Sequence, residues 1–153
     1  MSSDNDNDSD NGLGVGSFVE HLGLTLTQAS GDEVLGRVVI TPALHQPYGV
    51  VHGGVYCSLV ETVASVGAAL WFGERGRVVG VANHTNFLRA VREGALDVRA
   101  LPIQRGRTQQ LWTVDITDER DRLIAKGDVR LANLASSHSI GGPSPADSVA
   151  QRS

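Results

Sequence analysis

One long stretch of this chain, and no other, repeats its apolar residues at helical spacing. From Gly53 to about Trp71, the residues Val55, Leu59, Val63, Val66 and Leu70 fall three or four apart, which draws one stripe down a helix. The segments on either side alternate or run in β-branched residues between Gly, Pro and Asp turns, so they read as strands. A lone helix has to bury its stripe against a sheet large enough to wrap it, which predicts a two-layer α+β domain.

In chain order, Ser17 is placed to cap a short helix over 18–22 that Gly23 ends. Strands are expected over 24–30 and 33–41, with Gly36 marking a bulge or a close contact. Pro42 ends the second strand, and a loop with Pro47 and Gly49 leads into the helix. Four more strands are expected over 77–91, 95–104, 107–117 and 122–134. Gly80 allows close backbone approach, and Pro102 hints at an edge or a bulge. In the fifth strand Trp112, Val114 and Ile116 alternate against Leu111, Thr113, Asp115 and Thr117.

A length of 153 residues suits one domain. The acidic segment 1–14 and the Ser-, Gly- and Pro-rich segment 135–153 are expected to be disordered, leaving 15–134 as the folded domain. Asp4, Asp6, Asp8 and Asp10 account for the whole net charge of −4, so charge argues for neither nucleic acid nor membrane as a partner. The single cysteine, Cys57, excludes an internal disulfide framework and fits a reducing compartment. The N-terminus lacks an apolar signal segment, and a helix carrying Glu61 is not read as a membrane span. The expectation is a soluble cytoplasmic protein. His45, His52 and His84 lack metal-ligand spacing, so no metal is expected; His84 reads as a strand or core histidine and Cys57 as a small buried thiol.

Two features of the helix carry chemistry. Its start at Gly53-Gly54 leaves N–H groups unsatisfied and unobstructed, and the helix dipole would stabilise a carbonyl oxygen gaining negative charge there. Glu61 and Ser65, four apart, lie roughly opposite the stripe among the small residues Cys57, Ala64 and Ala68. Gly53 and Glu61 are separated by eight residues, or roughly 12 Å of helix. If both act on one substrate carbonyl, Glu61 must come from a second protomer related by a two-fold axis.

Together, Gln46, His52, Gly53, Glu61 and Ser65 resemble the active-site pattern of the hotdog-fold acyl-CoA thioesterases. The branch is the one holding the phenylacetate-pathway and 4-hydroxybenzoyl-CoA thioesterases, in which Glu is the catalytic carboxylate. The resemblance spans about residues 15–134, and its most specific part is VVHGGV with Glu61 nine residues after His52. It implies a hotdog fold, a curved antiparallel sheet wrapped around one long central helix. It also implies active sites at the interface of a homodimer, which can pair into a tetramer, and no cofactor beyond the coenzyme A of the substrate.

On this reading Gly53 polarises the thioester carbonyl, while Gln46 and His52 position the substrate or the attacking species. Glu61 is the nucleophile or the general base for water, two roles that the sequence leaves open. Ser65 holds the carboxylate or the water. In relatives a Gly-Arg pair lies near coenzyme A, which makes Arg105, Arg107 and Thr108 candidates for its phosphates, with Arg89 similarly placed. Phe87 stands where some relatives carry His near the acyl pocket, so the acyl group stays open. A non-catalytic acyl-CoA-binding module is the competing function, and a dehydratase, with its His and acidic residue placed differently, is a third.

Overall fold

The computed structural model describes residues 15–136. The expected segment 1–14 and residues 137–153 of the expected tail lie outside the described residues. Its first two residues are not tail at all: the last strand includes Ala135, and the Ser136 N–H donates to the Arg75 carbonyl at 3.1 Å.

The elements run α1 (Ser17–Leu22), β1 (Thr25–Ala29), β2 (Val34–Val39), α2 (Gly53–Phe72), β3 (Gly76–Phe87), β4 (Ala95–Arg105), β5 (Gln109–Asp118) and β6 (Leu123–Ala135). Every pairing is antiparallel, and the sheet order is β1-β2-β4-β5-β6-β3. α2 packs against all six strands. Six flat strands at about 4.8 Å spacing would span about 24 Å, far more than a helix about 10 Å across can touch. The sheet therefore curls around the helix, as the hotdog architecture requires.

That curl buries more of α2 than one stripe. Val55, Leu59 and Val63 are buried as expected, but so are Tyr56, Val60, Ala64, Gly67, Ala68 and Phe72. Val66 is only half-buried and Leu70 is exposed. Ala64 and Ala68, expected to flank Glu61 on the open face, lie in the core instead. By length and composition the stretch Gly53–Arg75 is apolar enough to cross a bilayer; here half of it is buried inside the fold. At its middle, Gly67 makes room for the fully buried Trp112, whose ring would stand 2.6 Å from a Cβ at that position. The Trp112 indole N–H donates to Gln110 Oε1 at 2.9 Å, and Gln110 Nε2 donates to Asn133 Oδ1 at 2.8 Å. These bonds give the buried indole N–H and the Gln110 amide their partners.

Several local expectations shift. Ser17 is the first residue of α1, not its cap; Gly16 takes that position without a side-chain bond. The irregularity near Gly36 lies in β1, between Leu26 and Gln28, and Gly36 serves close contact with Leu24. Pro102 does sit at a register shift, between Pro102 and Gln104, in a strand that is interior to the sheet. β3 stops at Phe87, short of 91, because the Leu88 and Arg89 N–H groups both turn to the Ile124 carbonyl, at 2.8 and 3.2 Å.

Candidate active site

The loop before α2 is held at both ends. His45 and Val51 form an antiparallel bridge, and the Gln46 N–H donates to the Val50 carbonyl at 2.8 Å. The Gly49 N–H returns to the Gln46 carbonyl at 2.9 Å, with Gly49 at φ 77°, a conformation that suits glycine. From outside, Arg92 Nη1 donates to the Tyr48 and Gly49 carbonyls at 3.0 and 3.2 Å. The Tyr48 N–H donates to Gln46 Oε1, which leaves the Gln46 amide NH2 as the group able to donate outward. Sequence reasoning passed over Arg92, because nothing local links it to a loop more than 40 residues earlier.

His52 is the N-cap of α2: its Nδ1 accepts from the Gly54 N–H at 2.8 Å. An acceptor at Nδ1 puts the proton of a neutral imidazole on Nε2, which is then a donor. Gly54 is thus satisfied, and the Gly53 N–H, first in the helix, has no intrahelical acceptor. The Phe87 ring lies against Gly53, 2.7 Å at Cζ from where a Cβ would stand, so any side chain at position 53 would have to displace the ring. Phe87 also stacks on Tyr56 with centroids 5.7 Å apart and planes tilted by 46°.

Two turns further along α2, Glu61 is half-buried and reaches across to β3. Its carboxylate takes the space that a side chain on Gly80 would fill, with Cδ 3.0 Å from a Cβ at that position. The β3 ladder is irregular at that point, between Gly80 and Ala82. Asn83 Nδ2 donates to Glu61 Oε2 at 3.2 Å and to the Cys57 carbonyl at 3.0 Å. The Asn83 oxygen accepts in turn from Thr85 Oγ1 at 2.7 Å. The expected partner Ser65 makes no hydrogen bond to Glu61 among the described residues; Asn83 does. His84, next to it, is an exposed strand residue in register with Asp128, not a core one.

These groups line two separate cavities. One, of about 290 Å³, is lined by Gln46, Gly53, Tyr56, Phe87 and Arg89 together with apolar neighbours. The other, of about 380 Å³, is lined by Glu61 and Ser65 with Val15, Val19, Val66 and Val78 among others. Within one chain, the helix N-terminus and the carboxylate do not share a cavity. Burial raises the Tyr56 phenol above its ordinary pKa. Tyr56 was legible from the sequence only as part of the helix.

The remaining arginines divide. Arg105 Nη1 donates to the Gly31 carbonyl at 2.6 Å and to Asp32 Oδ1 at 2.7 Å, and its guanidinium lies 5.5 Å from the Trp71 ring centre. It ties the β1–β2 turn to the end of α2. Arg107 and Thr108 are exposed; their carbonyls accept from Asn133, which fixes the β4–β5 turn. Arg89 is exposed at the first cavity. Among the described residues no cluster of His, Cys, Asp and Glu could hold a metal ion.

A thioesterase superfamily family model matches residues 48–125, which takes in α2, β3, β4 and β5. A Mycobacterium tuberculosis protein carrying a provisional esterase name is 48% identical over 120 residues, covering 76% of this chain and 86% of its own. The 1,4-dihydroxy-2-naphthoyl-CoA hydrolase of Listeria monocytogenes is 31% identical over 105 residues, covering 69% of this chain and 85% of its own. The crystal structure of a Haemophilus influenzae thioesterase superposes with a TM-score of 0.78 at 33% identity, covering 84% of this chain and 90% of that one.

Proposed function

The chain belongs to the thioesterase superfamily, and from that premise we propose that it hydrolyses an acyl-CoA thioester to the free acid and coenzyme A. The observation that carries this reading is the Glu61 carboxylate, held by Asn83 over the gap at Gly80. A module that only bound its ligand would have no use for an oriented carboxylate of this kind. The name of the Listeria relative supports a coenzyme A ester as the substrate.

In this mechanism the thioester carbonyl oxygen accepts from the Gly53 N–H, and negative charge develops there as the carbon becomes tetrahedral. The His52 Nε2–H and the Gln46 amide are the further donors at this end of the helix. Glu61 either takes a proton from an attacking water or attacks the carbon itself to give an anhydride that water then opens. Either route breaks the C–S bond, expels the coenzyme A thiolate and leaves the acyl group as a carboxylic acid. Ser65, on the same cavity wall as Glu61, positions the water. Arg89 and Arg107 are assigned to the coenzyme A phosphates ahead of Arg105, whose guanidinium is already paired.

The site is completed by a second copy of the chain. Two turns of α2 separate Gly53 from Glu61, about 12 Å, and the two groups line different cavities. β3 supports this assembly, since it is an edge strand of 12 residues with most of its side chains exposed, a ready template for pairing with a copy of itself. The two-fold operation would carry the partner's Glu61 toward the first chain's Gly53.

The test is free-thiol release from a panel of short, long and aryl CoA esters, with Glu61→Gln alongside. Loss of a general base or nucleophile lowers kcat by about 10²–10⁴ or more. Tight binding of the esters by the wild type without turnover would identify a binding module instead.

A further inference from the structure

The Asn83 amide meets two acceptors on one side and a hydroxyl on the other. Its Nδ2 lies 3.2 Å from Glu61 Oε2 and 3.0 Å from the Cys57 carbonyl oxygen, and its Oδ1 lies 2.7 Å from Thr85 Oγ1. A carboxylate and a backbone carbonyl can only accept, so the NH2 has to face them; the flipped amide would set Oδ1 against both. Both amide hydrogens are thereby used, and the amide oxygen is left to Thr85, whose hydroxyl has to donate. Thr85 stands opposite Gly127 in the β3–β6 ladder, and a Cβ at position 127 would lie 2.6 Å from Thr85 Oγ1. The glycine gives the hydroxyl its room. From Thr85 through Asn83 to Glu61, each hydrogen bond therefore has one direction.

That direction makes the two oxygens of Glu61 unequal. Oε2 is held by an N–H donor, whereas Oε1 lies over Gly80, in the space that a side chain there would fill, and has no donor beside it among the described residues. The hydroxyl oxygen of a carboxylic acid is a poorer acceptor than its carbonyl oxygen, so the Asn83 N–H keeps the unprotonated oxygen at Oε2. Resting on the thioesterase reading above, we propose that Oε1 is the reacting oxygen of Glu61, and that Asn83 and Thr85 are positioning residues that select it. As a base, Oε1 takes the proton of the water whose oxygen bonds to the thioester carbon. As a nucleophile, Oε1 forms that bond itself. In both routes the C–S bond breaks and sulfur leaves with its electron pair, while Oε2 stays on Asn83 throughout.

The experiment measures thiol release by Asn83→Ala, Asn83→Asp, Thr85→Val and Thr85→Ser on the CoA ester that wild type hydrolyses best, with Tm recorded for each. Asn83→Asp keeps the shape of the side chain and replaces its donor by a second carboxylate. It should lose at least as much kcat as Asn83→Ala, about tenfold or more in each, with KM within about threefold of wild type. Thr85→Val keeps the volume and drops the hydroxyl, and should lower kcat about tenfold, whereas Thr85→Ser should stay within about threefold of wild type. In the Asn83→Ala background Thr85→Val should cost no further kcat, because the hydroxyl acts only through the amide. Near wild-type kcat in Asn83→Asp, or additive losses in the double variant, overturns the proposal while leaving hydrolysis standing. Should Thr85→Val fail to fold, the comparison of Asp with Ala at position 83 decides. A wild type that releases no thiol from any ester sinks the thioesterase reading and this assignment with it.

Discussion

The Glu61 carboxylate stands where a side chain on Gly80 would be, and Gly80 is the reason that α2 and β3 can approach with a charged group between them. A methyl at position 80 would meet the far end of a flexible side chain, not backbone, so the chain can accommodate it by moving the carboxylate. Gly80→Ala is therefore expected to fold with a Tm close to wild type and to lose about a hundredfold in kcat, the order expected when a reacting group is displaced by about 1 Å. Thermal melts with thiol-release kinetics check it, and full activity would mean that the position of Glu61 does not matter.

Capping by His52 separates stability from chemistry in another way. His52→Ala removes the acceptor for the Gly54 N–H and should cost about 0.5–2 kcal/mol of stability. His52→Asn restores a side-chain acceptor at the N-cap, so urea denaturation should find much of that stability regained. Activity should stay low in both variants if the Nε2–H is a donor to the substrate.

Acid stability should depend on the β5–β6 turn. Asp118 bonds the Arg122 guanidinium at 2.6–2.8 Å and accepts from the Arg120 and Arg122 N–H groups at 3.0 Å. The Arg122 side chain, first, and these N–H groups hold its carboxyl down at about 2. An unfolded Asp titrates near 3.9, so the folded state favours the ionised form. Its contribution is full above about pH 4–5 and is lost as pH falls toward 2. Asp118→Asn should be less stable than wild type at pH 7, and the gap should close between pH 4 and pH 2. A gap independent of pH across that window would contradict the assignment.

Most of the fold was legible because each element is locally consistent: one helical period, alternating strands, and Gly or Asp turns between them. What stayed hidden came from contacts distant in sequence. Asn83 reaches Glu61 only through the register of β3 against the helix, 22 residues away. Ser65, one turn from Glu61, was the partner that local spacing could offer. Ala64 and Ala68 were misplaced because a single stripe cannot say how far a sheet will curl. The helix N-terminus was readable from Gly53-Gly54, yet the Phe87 ring packed against Gly53 was not.

Arg105 is a case where a turn signal concealed a structural role. With its guanidinium bonded to Gly31 and Asp32, Arg105→Ala should lower Tm and change KM alike for a CoA thioester and a truncated pantetheine thioester. Arg89→Ala should leave Tm near wild type and raise KM more for the full coenzyme, which alone carries nucleotide phosphates. Parallel kinetics on both thioesters distinguish the two arginines. A CoA-selective KM effect at Arg105 would reverse their roles.

The shared site is tested by mixing two defective chains. Glu61→Ala and Gln46→Ala are each expected to be nearly inactive alone, because every site in either homodimer lacks one group. A mixed dimer has one site with both groups intact and one lacking both. With random exchange between equal amounts, about half the dimers are mixed, so activity should recover to roughly a quarter of wild type. Native mass spectrometry of tagged chains establishes that mixed dimers have formed. Activity that remains at the parental level in their presence would mean that Glu61 serves the loop of its own chain, against the separation of the two cavities along α2.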